Sequence, residues 1–368
     1  MFAEHQYLAI VRSPDSIRWK IYIDRKTQEI KQREEQLSKT FQGSREFKDL
    51  TQAHLQAKNL LSQDRTYFEQ ESGARNAFLE QAIDMYSRCL ATSDDFDDDG
   101  HLRLCSLWFS NFHDLPLQAK VRIALDRIPS RKFIFLAHQL SARLSASSGQ
   151  VEQNQANLHG IVSRMCQEHP FHSLYQVFAL RTDPVQSISA PNRRQSSRHD
   201  VSPSQTDRSS AADDLFSRLR GDSNAGSRVR DVEQVCIASL QWATFQIKGN
   251  ARYAKNMKGP FKVPDNLDLL KIKNLQVPVV TAKTPVDLTM RYDRCVWIKG
   301  FEDKFVTAGG VNLPKISVCI GEDNSKHKQL VGGEAIIIHI LSLIIFHSSK
   351  AKEMMTCVKM RSWNKSLG

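Results

Sequence analysis

The chain has 368 residues, 40% of them hydrophobic, which is enough for two domains or one elongated array around a real core. Its net charge of +11 is spread unevenly, about +3 over residues 1–60, −3 over 61–184 and +7 over 248–333, and no block of like charges interleaves with aromatics; this reads as a solvated basic surface and argues against direct nucleic-acid binding. The seven cysteines are scattered without a Cys-x-x-Cys, which argues against a disulfide framework or a structural zinc and for a reducing compartment.

Met1-Phe2-Ala3-Glu4-His5 carries charge at once, so no signal peptide is read at the N-terminus. Residues 14–70 have dense charge and no proline after Pro14. Ile17 and Ile21, then Ile30, Leu37, Phe41, Phe47, Leu50, Leu55, Leu60 and Leu61, form a sparse apolar stripe. This predicts a coiled-coil-like or solenoid helix pair broken near Gly43-Ser44. Asn76–Tyr86 is strongly amphipathic. Asp94-Asp95-Phe96-Asp97-Asp98-Asp99-Gly100 reads as a solvated loop; it lacks the alternating spacing and closing Glu of a calcium loop, so no metal site is assigned. Further helices are predicted over His101–Asn111, Leu117–Asp126, Lys132–Ser145 and Val151–Glu168, in the tandem pairs of an α-solenoid.

Residues 183–210, rich in Ser, Arg, Gln and Pro, read as a disordered insert. Helix returns at Ala211–Leu219 and Val229–Gln246. After Lys258-Gly259-Pro260 the period changes to that of strands: Val277–Thr281, Cys295–Ile298 and Lys315–Ile320, a turn at Gly321-Glu322-Asp323-Asn324, and the start of another strand at Gln329-Leu330-Val331. These predict a small antiparallel sheet. Between two β-like runs lies Thr307-Ala308-Gly309-Gly310-Val311-Asn312-Leu313, where adjacent glycines would let backbone N–H groups approach phosphate oxygens; a plain tight turn is the simpler reading of the same residues. The apolar run Ala335–Phe346 is about half the length of a membrane span and contains His339 and Ser342, so no membrane anchor is read.

Four stretches in order resemble the phosphatidylinositol-3-kinase-related protein kinases, most closely the ATM group with its fungal telomere-maintenance homologues. Leu102–Trp108 and Pro129–Leu136 with Gln139–Arg143 are similar to the helical FAT region, His169-Pro170-Phe171-His172 to the motif near its end, and Ala308–Lys315 to the glycine loop of the nucleotide lobe. The resemblance implies a mainly α fold: a helical FAT-type α-solenoid followed by a small antiparallel β-sheet, a partial kinase N-lobe. It assigns residues 1–182 to the helical FAT region, 211–257 to its last helices, 258–333 to a partial PI3/PI4-kinase-like N-lobe and 334–368 to an atypical tail.

The resemblance further implies an ATP- and magnesium-dependent Ser/Thr protein kinase. Such a kinase phosphorylates Ser-Gln/Thr-Gln sites in the DNA-damage response and telomere maintenance, works in the nucleus with proteins that recruit it to DNA ends, and can form a homodimer through the FAT region. Thr307, Ala308, Gly309, Gly310, Val311, Asn312, Leu313 and Leu330 would then hold ATP. The family's phosphate-holding lysine follows Gln-Leu-Val; here Gly332 follows Val331. Lys315, a possible substitute, reads as a solvated lysine at the start of a strand. No catalytic loop or metal-binding motif is found in the sequence, so no catalytic or metal residue is assigned. The alternative reading is a catalytically inactive helical scaffold fragment of such a kinase, a truncated or mis-spliced product. Ser62-Gln63 and Ser204-Gln205 are candidate phosphorylation dipeptides.

Overall fold

A computed structural model describes residues 1–41, 44–112, 114–146, 152–181, 203–247, 259–308 and 314–331, without the side chains of 14–17, 152–153 and 203–206. The chain forms two compact units, Met1–Ile128 and Pro129–Gly368.

The first unit is all helix: α1 (Phe2–Arg12), α2 (Pro14–Lys39), α3 (Arg45–Thr92), α4 (Asp97–Ser110) and α5 (Leu115–Arg127). Pro14 opens α2, where its missing N–H costs nothing. The Ser44 hydroxyl caps α3 by accepting from the Phe47 N–H at 3.0 Å. The predicted break near residues 43 and 44 therefore separates two helices. The predicted helix at Asn76–Tyr86 is part of α3, whose 48 residues run for about 70 Å. The first half of α3 pairs with α2: the Tyr22 hydroxyl donates to Asp64 at 3.2 Å, and Arg65 donates to the Thr27 hydroxyl at 3.0 Å. The second half buries Leu79, Ala82, Ile83, Tyr86 and Leu90. Between the halves, Gly73 has open space where a Cβ would sit.

Glu4 is buried in this unit. The Tyr86 hydroxyl donates to its carboxylate, and Arg103 pairs with it at 3.0 Å. Burial, then the Glu4 contact, pushes the Tyr86 phenol up to about 12. The acidic run is not wholly a loop: Asp97, Asp98 and Asp99 form the first turn of α4. Carboxylates there face the exposed N–H groups and positive end of the helix, which is why a dense acid run begins a helix instead of preventing one.

The second unit opens with a 3-10 turn, Ser130–Leu136, and then α6 (Ala137–Ser141), α7 (Glu152–Glu168), α8 (Pro170–Leu180), α9 (Pro203–Arg220) and α10 (Gly226–Thr244). The predicted α-helix at Lys132–Ser145 is replaced by the 3-10 turn and the short α6. Ser130, Phe133 and Leu136 are all buried, and their three-residue spacing matches the 3-10 period. The helix predicted from Ala211 begins at Pro203, inside the segment read as an insert; proline is well placed at a helix start. The rest of that segment, 183–202, and the tail 334–368 lie outside the described residues. Arg181, at the end of α8, pairs with Asp213 of α9 at 2.7 Å and Glu233 of α10 at 2.6 Å. Its guanidinium lies 4.5 Å from the centre of the Phe216 ring.

Among the described residues of this unit, six strands follow: β1 (Phe261–Lys262), β2 (Leu275–Pro278), β3 (Trp297–Phe301), β4 (Lys304–Thr307), β5 (Lys315–Gly321) and β6 (Lys326–Val331). Every pairing is antiparallel. Strands β3 and β4 follow one another along one edge of β5, and β6 runs along the other. The turn predicted at Gly321–Asn324 closes the β5–β6 hairpin, with Asn324 in the left-handed region at φ 63°. The helices and the sheet share a core of Trp242, Ile247, Phe261, Val263, Leu267, Leu269 and Phe305. The change from helix to sheet near residue 258 thus occurs inside one body. Among the described residues no helix is long and apolar enough to cross a membrane.

Candidate functional site

The glycine turn joins β4 to β5, and its base is fixed by strand pairing. Val306 lies opposite Ile316 and Thr307 opposite Lys315. The Ala308 N–H donates to the Pro314 carbonyl at 2.9 Å, which closes the stem of the loop. Thr307 ends β4, half-buried, and Ala308 is exposed. Gly309, Gly310, Val311, Asn312 and Leu313 lie outside the described residues, as does Gly332.

Leu330 sits on β6 directly opposite Ile316. Directly paired residues project to the same face of a sheet, so Val306, Ile316 and Leu330 make one apolar row across three strands beside the stem. Val306 is 38% and Leu330 58% exposed. The structure places Leu330 in one row with Val306 and Ile316, beside Thr307 and Ala308. Burial alternates strictly along β5: Lys315, Ser317, Cys319 and Gly321 are buried, while Ile316 and the other residues between them are half-exposed.

Lys315 is not solvated. It faces inward at 4% exposure, and its Nζ donates to the carbonyls of Ala243 at 3.0 Å and Phe245 at 2.7 Å. The ammonium lies 5.2 Å from the Trp242 ring centre and 5.9 Å from that of Phe245. Those carbonyls belong to the end of α10, which has no basic residue in its own last turn. Lys315 supplies from the sheet the cation that a helix C-terminus favours. Burial lowers its pKa to about 8. The error in the sequence reading was one of face: a strand's first residue is solvated only if its pleat points outward.

The His-Pro-x-His stretch packs on the loop that enters the sheet. His169 Nδ1 lies 2.8 Å from the Tyr292 hydroxyl, and the Phe171 ring stands edge-on to Tyr292 and Trp297 at 5.1 and 5.6 Å. Tyr292 is 1% exposed and in the left-handed region at φ 62°. The Asp287 carboxylate holds that turn by accepting from the N–H groups of Thr289 at 2.8 Å and Tyr292 at 2.6 Å. Burial, and then the Arg131 charge, lowers the His169 pKa to about 4. Burial, and then His169, does the same for His172. Both rings are neutral at pH 7 and serve as packing groups. Ser62 lies within α3. Ser204 lies in the first turn of α9, not in an insert. Among the described residues no group of three or more His, Cys, Asp or Glu could hold a metal ion.

No family model matches the chain. It is 31% identical over 271 residues to serine-protein kinase ATM of Sus scrofa, covering 70% of this chain and 8% of that protein. It is 29% identical over 258 residues to serine/threonine-protein kinase TEL1 of Cryptococcus neoformans var. neoformans serotype D, covering 69% and 8%. Its structure matches the open conformation of CtTel1 with a TM-score of 0.67 at 25% identity, over 89% of this chain and 11% of that one. The chain belongs to the ATM/Tel1 protein-kinase family. The FAT and kinase domain of CtTel1 gives a TM-score of 0.66 at 24% identity, over 89% of this chain and 20% of that one. A complete CtTel1 dimer with C2 symmetry also gives 0.66 at 24%, over 89% and 11%. The chain thus spans about a tenth of the length of the ATM/Tel1 proteins it matches. Its helices and sheet match in fold a part of the FAT and kinase domain of CtTel1.

Proposed function

We propose that the β4–β5–β6 sheet is the nucleotide-facing part of an ATM/Tel1-type Ser/Thr kinase lobe, carried on a FAT-type helical framework. The observation that carries this reading is the closed loop stem beside an open apolar row. Ala308 and Pro314 fix the two ends of a turn containing Gly309-Gly310. Val306, Ile316 and Leu330 offer a flat apolar surface next to it. Such a surface suits the face of a purine base, and glycine backbone suits close approach to phosphate oxygens. In this reading Thr307, Ala308, Gly309, Gly310, Val311, Asn312, Leu313 and Leu330 line the ATP side, with magnesium accompanying the nucleotide. The substrates are proteins with Ser-Gln or Thr-Gln sites, in DNA-damage and telomere signalling in the nucleus. A homodimer through the helical region and recruitment by DNA-end proteins belong to the same reading.

A second reading rests on one residue. Gly332 stands after Gln329-Leu330-Val331, where the resemblance places the phosphate-holding lysine, and glycine cannot neutralise a phosphate. The 368-residue polypeptide is then a helical scaffold without phosphoryl transfer of its own. Titration of the purified chain with magnesium ATP, paired with a transfer assay on a Ser-Gln peptide, separates the two. The scaffold reading expects no transfer and an ATP affinity no tighter than about millimolar. Robust magnesium-dependent transfer would overturn it. Complete absence of ATP-induced shifts at Val306, Ile316 and Leu330 would overturn the nucleotide-facing assignment.

A further inference from the structure

We propose that Lys315 is a positioning residue: it ties the foot of the β4–β5 hairpin to the C-terminal end of α10, so that a displacement of either is felt at the other. Three observations converge on this residue. Lys315 is the first residue of β5 and lies opposite both Thr307 of β4 and Val331 of β6, so it sits at the junction of the three strands at the foot of the loop. Its ammonium bonds two carbonyls at the end of α10 and lies by the rings of Trp242 and Phe245. It has no carboxylate within ion-pair distance among the described residues, so the helix end is its charge partner.

A buried ammonium is tolerated only where its protons are accepted. Moving the α10 end away from the sheet would leave the Lys315 charge without acceptors. Moving the foot of the loop would take the Lys315 donor away from the helix carbonyls. Each displacement penalises the other, and that reciprocity is what couples two sites. The end of α10 is in turn stapled to the 3-10 turn at Asp268–Lys271. The Gln241 amide donates to Asp268 at 2.7 Å and accepts from the Asp268 N–H at 2.9 Å. Gln241 is therefore a handle on the helix end that does not belong to the loop. The inference rests on the nucleotide reading only for its consequence, that ATP affinity follows the state of α10; the tether itself stands on geometry.

The test is amide hydrogen exchange on the full chain for wild type, Lys315→Met, Lys315→Arg, Gln241→Ala and the Lys315→Met/Gln241→Ala double variant. Losing two charge-assisted bonds in Lys315→Met lowers protection of the Ala308 and Phe245 N–H groups about tenfold each. Lys315→Arg keeps the cation and most of the protection. Gln241→Ala lowers Ala308 protection in the wild-type background and adds nothing in Lys315→Met, a non-additivity that a purely local structural role does not produce. Exchange in α8 reports whether the fold is intact; if Lys315→Met loosens α8 too, Gln241→Ala alone decides. An Ala308 N–H indifferent to Gln241→Ala overturns the tether. A magnesium ATP titration run in parallel keeps the two readings apart. Wild type that shows the coupling without binding ATP overturns the nucleotide reading, and wild type that binds ATP without the coupling overturns the tether.

Discussion

Lowering the pH from 7 to 5 should loosen the contact between the His-Pro-x-His stretch and the sheet. His169 is 2% exposed, with a pKa of about 4 against an ordinary value near 6.5. A histidine whose folded pKa is depressed contributes stability that is complete above the unfolded pKa and is lost as pH falls toward the folded one, because in that window the unfolded chain binds more protons. The window here runs from about 6.5 down to about 4. At pH 5 the unfolded ring is almost fully protonated while His169 stays mostly neutral. The difference between the two titration curves is about 2 kcal/mol, against a few tenths at pH 7. His172, also depressed to about 4 by burial and by His169, adds in the same direction. Urea unfolding of wild type and the His169→Asn variant at both pH values, followed by hydrogen exchange in α8 and around Tyr292, reads the effect of His169 together with its influence on His172, since the remaining titrating groups are common to both proteins. Wild type should lose about 2 kcal/mol more than the variant between pH 7 and 5. Equal losses would show that His169 is not held neutral by its burial, and the account of the Tyr292 contact would fail.

Arg181→Ala removes one partner of Asp213 and of Glu233, whose side chain is only 11% exposed and keeps Arg220 at 3.3 Å. It should cost about 2 kcal/mol, read as a lower urea midpoint, with Arg181→Lys recovering only part because the forked geometry is lost. Leu90→Ala empties a fully buried site against Gly100. It should destabilise the first unit by about 3 kcal/mol, with α3 and α4 exchanging faster together. Tyr86→Phe leaves the buried Glu4 with Arg103 and without its phenol donor. A loss of about 1 to 2 kcal/mol is expected, measured by thermal unfolding at pH 7.

Much of this fold was legible because its signals are local. Pro14, the helix break near Ser44, the amphipathic Asn76–Tyr86 and the strand alternation after residue 258 each depend on neighbours a few residues away. The parts read differently depend on tertiary context. The 3-10 turn at Ser130–Leu136 buries Ser130, Phe133 and Leu136 at three-residue spacing, with Lys132 beside them, a packing that neighbouring residues in the chain do not announce. Asp97–Asp99 look like a soluble loop until the helix behind them is seen to favour carboxylates at its start. The glycine turn of the candidate site was visible as a motif, and Leu330 beside it came from the resemblance. The inward direction of Lys315 was not visible, since a lysine at a strand start carries no mark of which way its pleat faces. Nor did anything in the sequence link Tyr292 to His169, 123 residues away.

The uneven burial along α3 bears on cooperativity. Of its buried side chains, Leu61 lies before Gly73, while Leu79, Ala82, Ile83, Tyr86, Ser87 and Leu90 all lie after it. An unbroken hydrogen-bonded ladder can still hold two populations of opening free energies, because apolar burial and not ladder continuity sets local stability. The stretch paired with α2 should therefore melt as a separate, weaker block and leave the base intact. Gly73, with no Cβ to stiffen it, lies between the last buried residue of that weaker block and the first of the base.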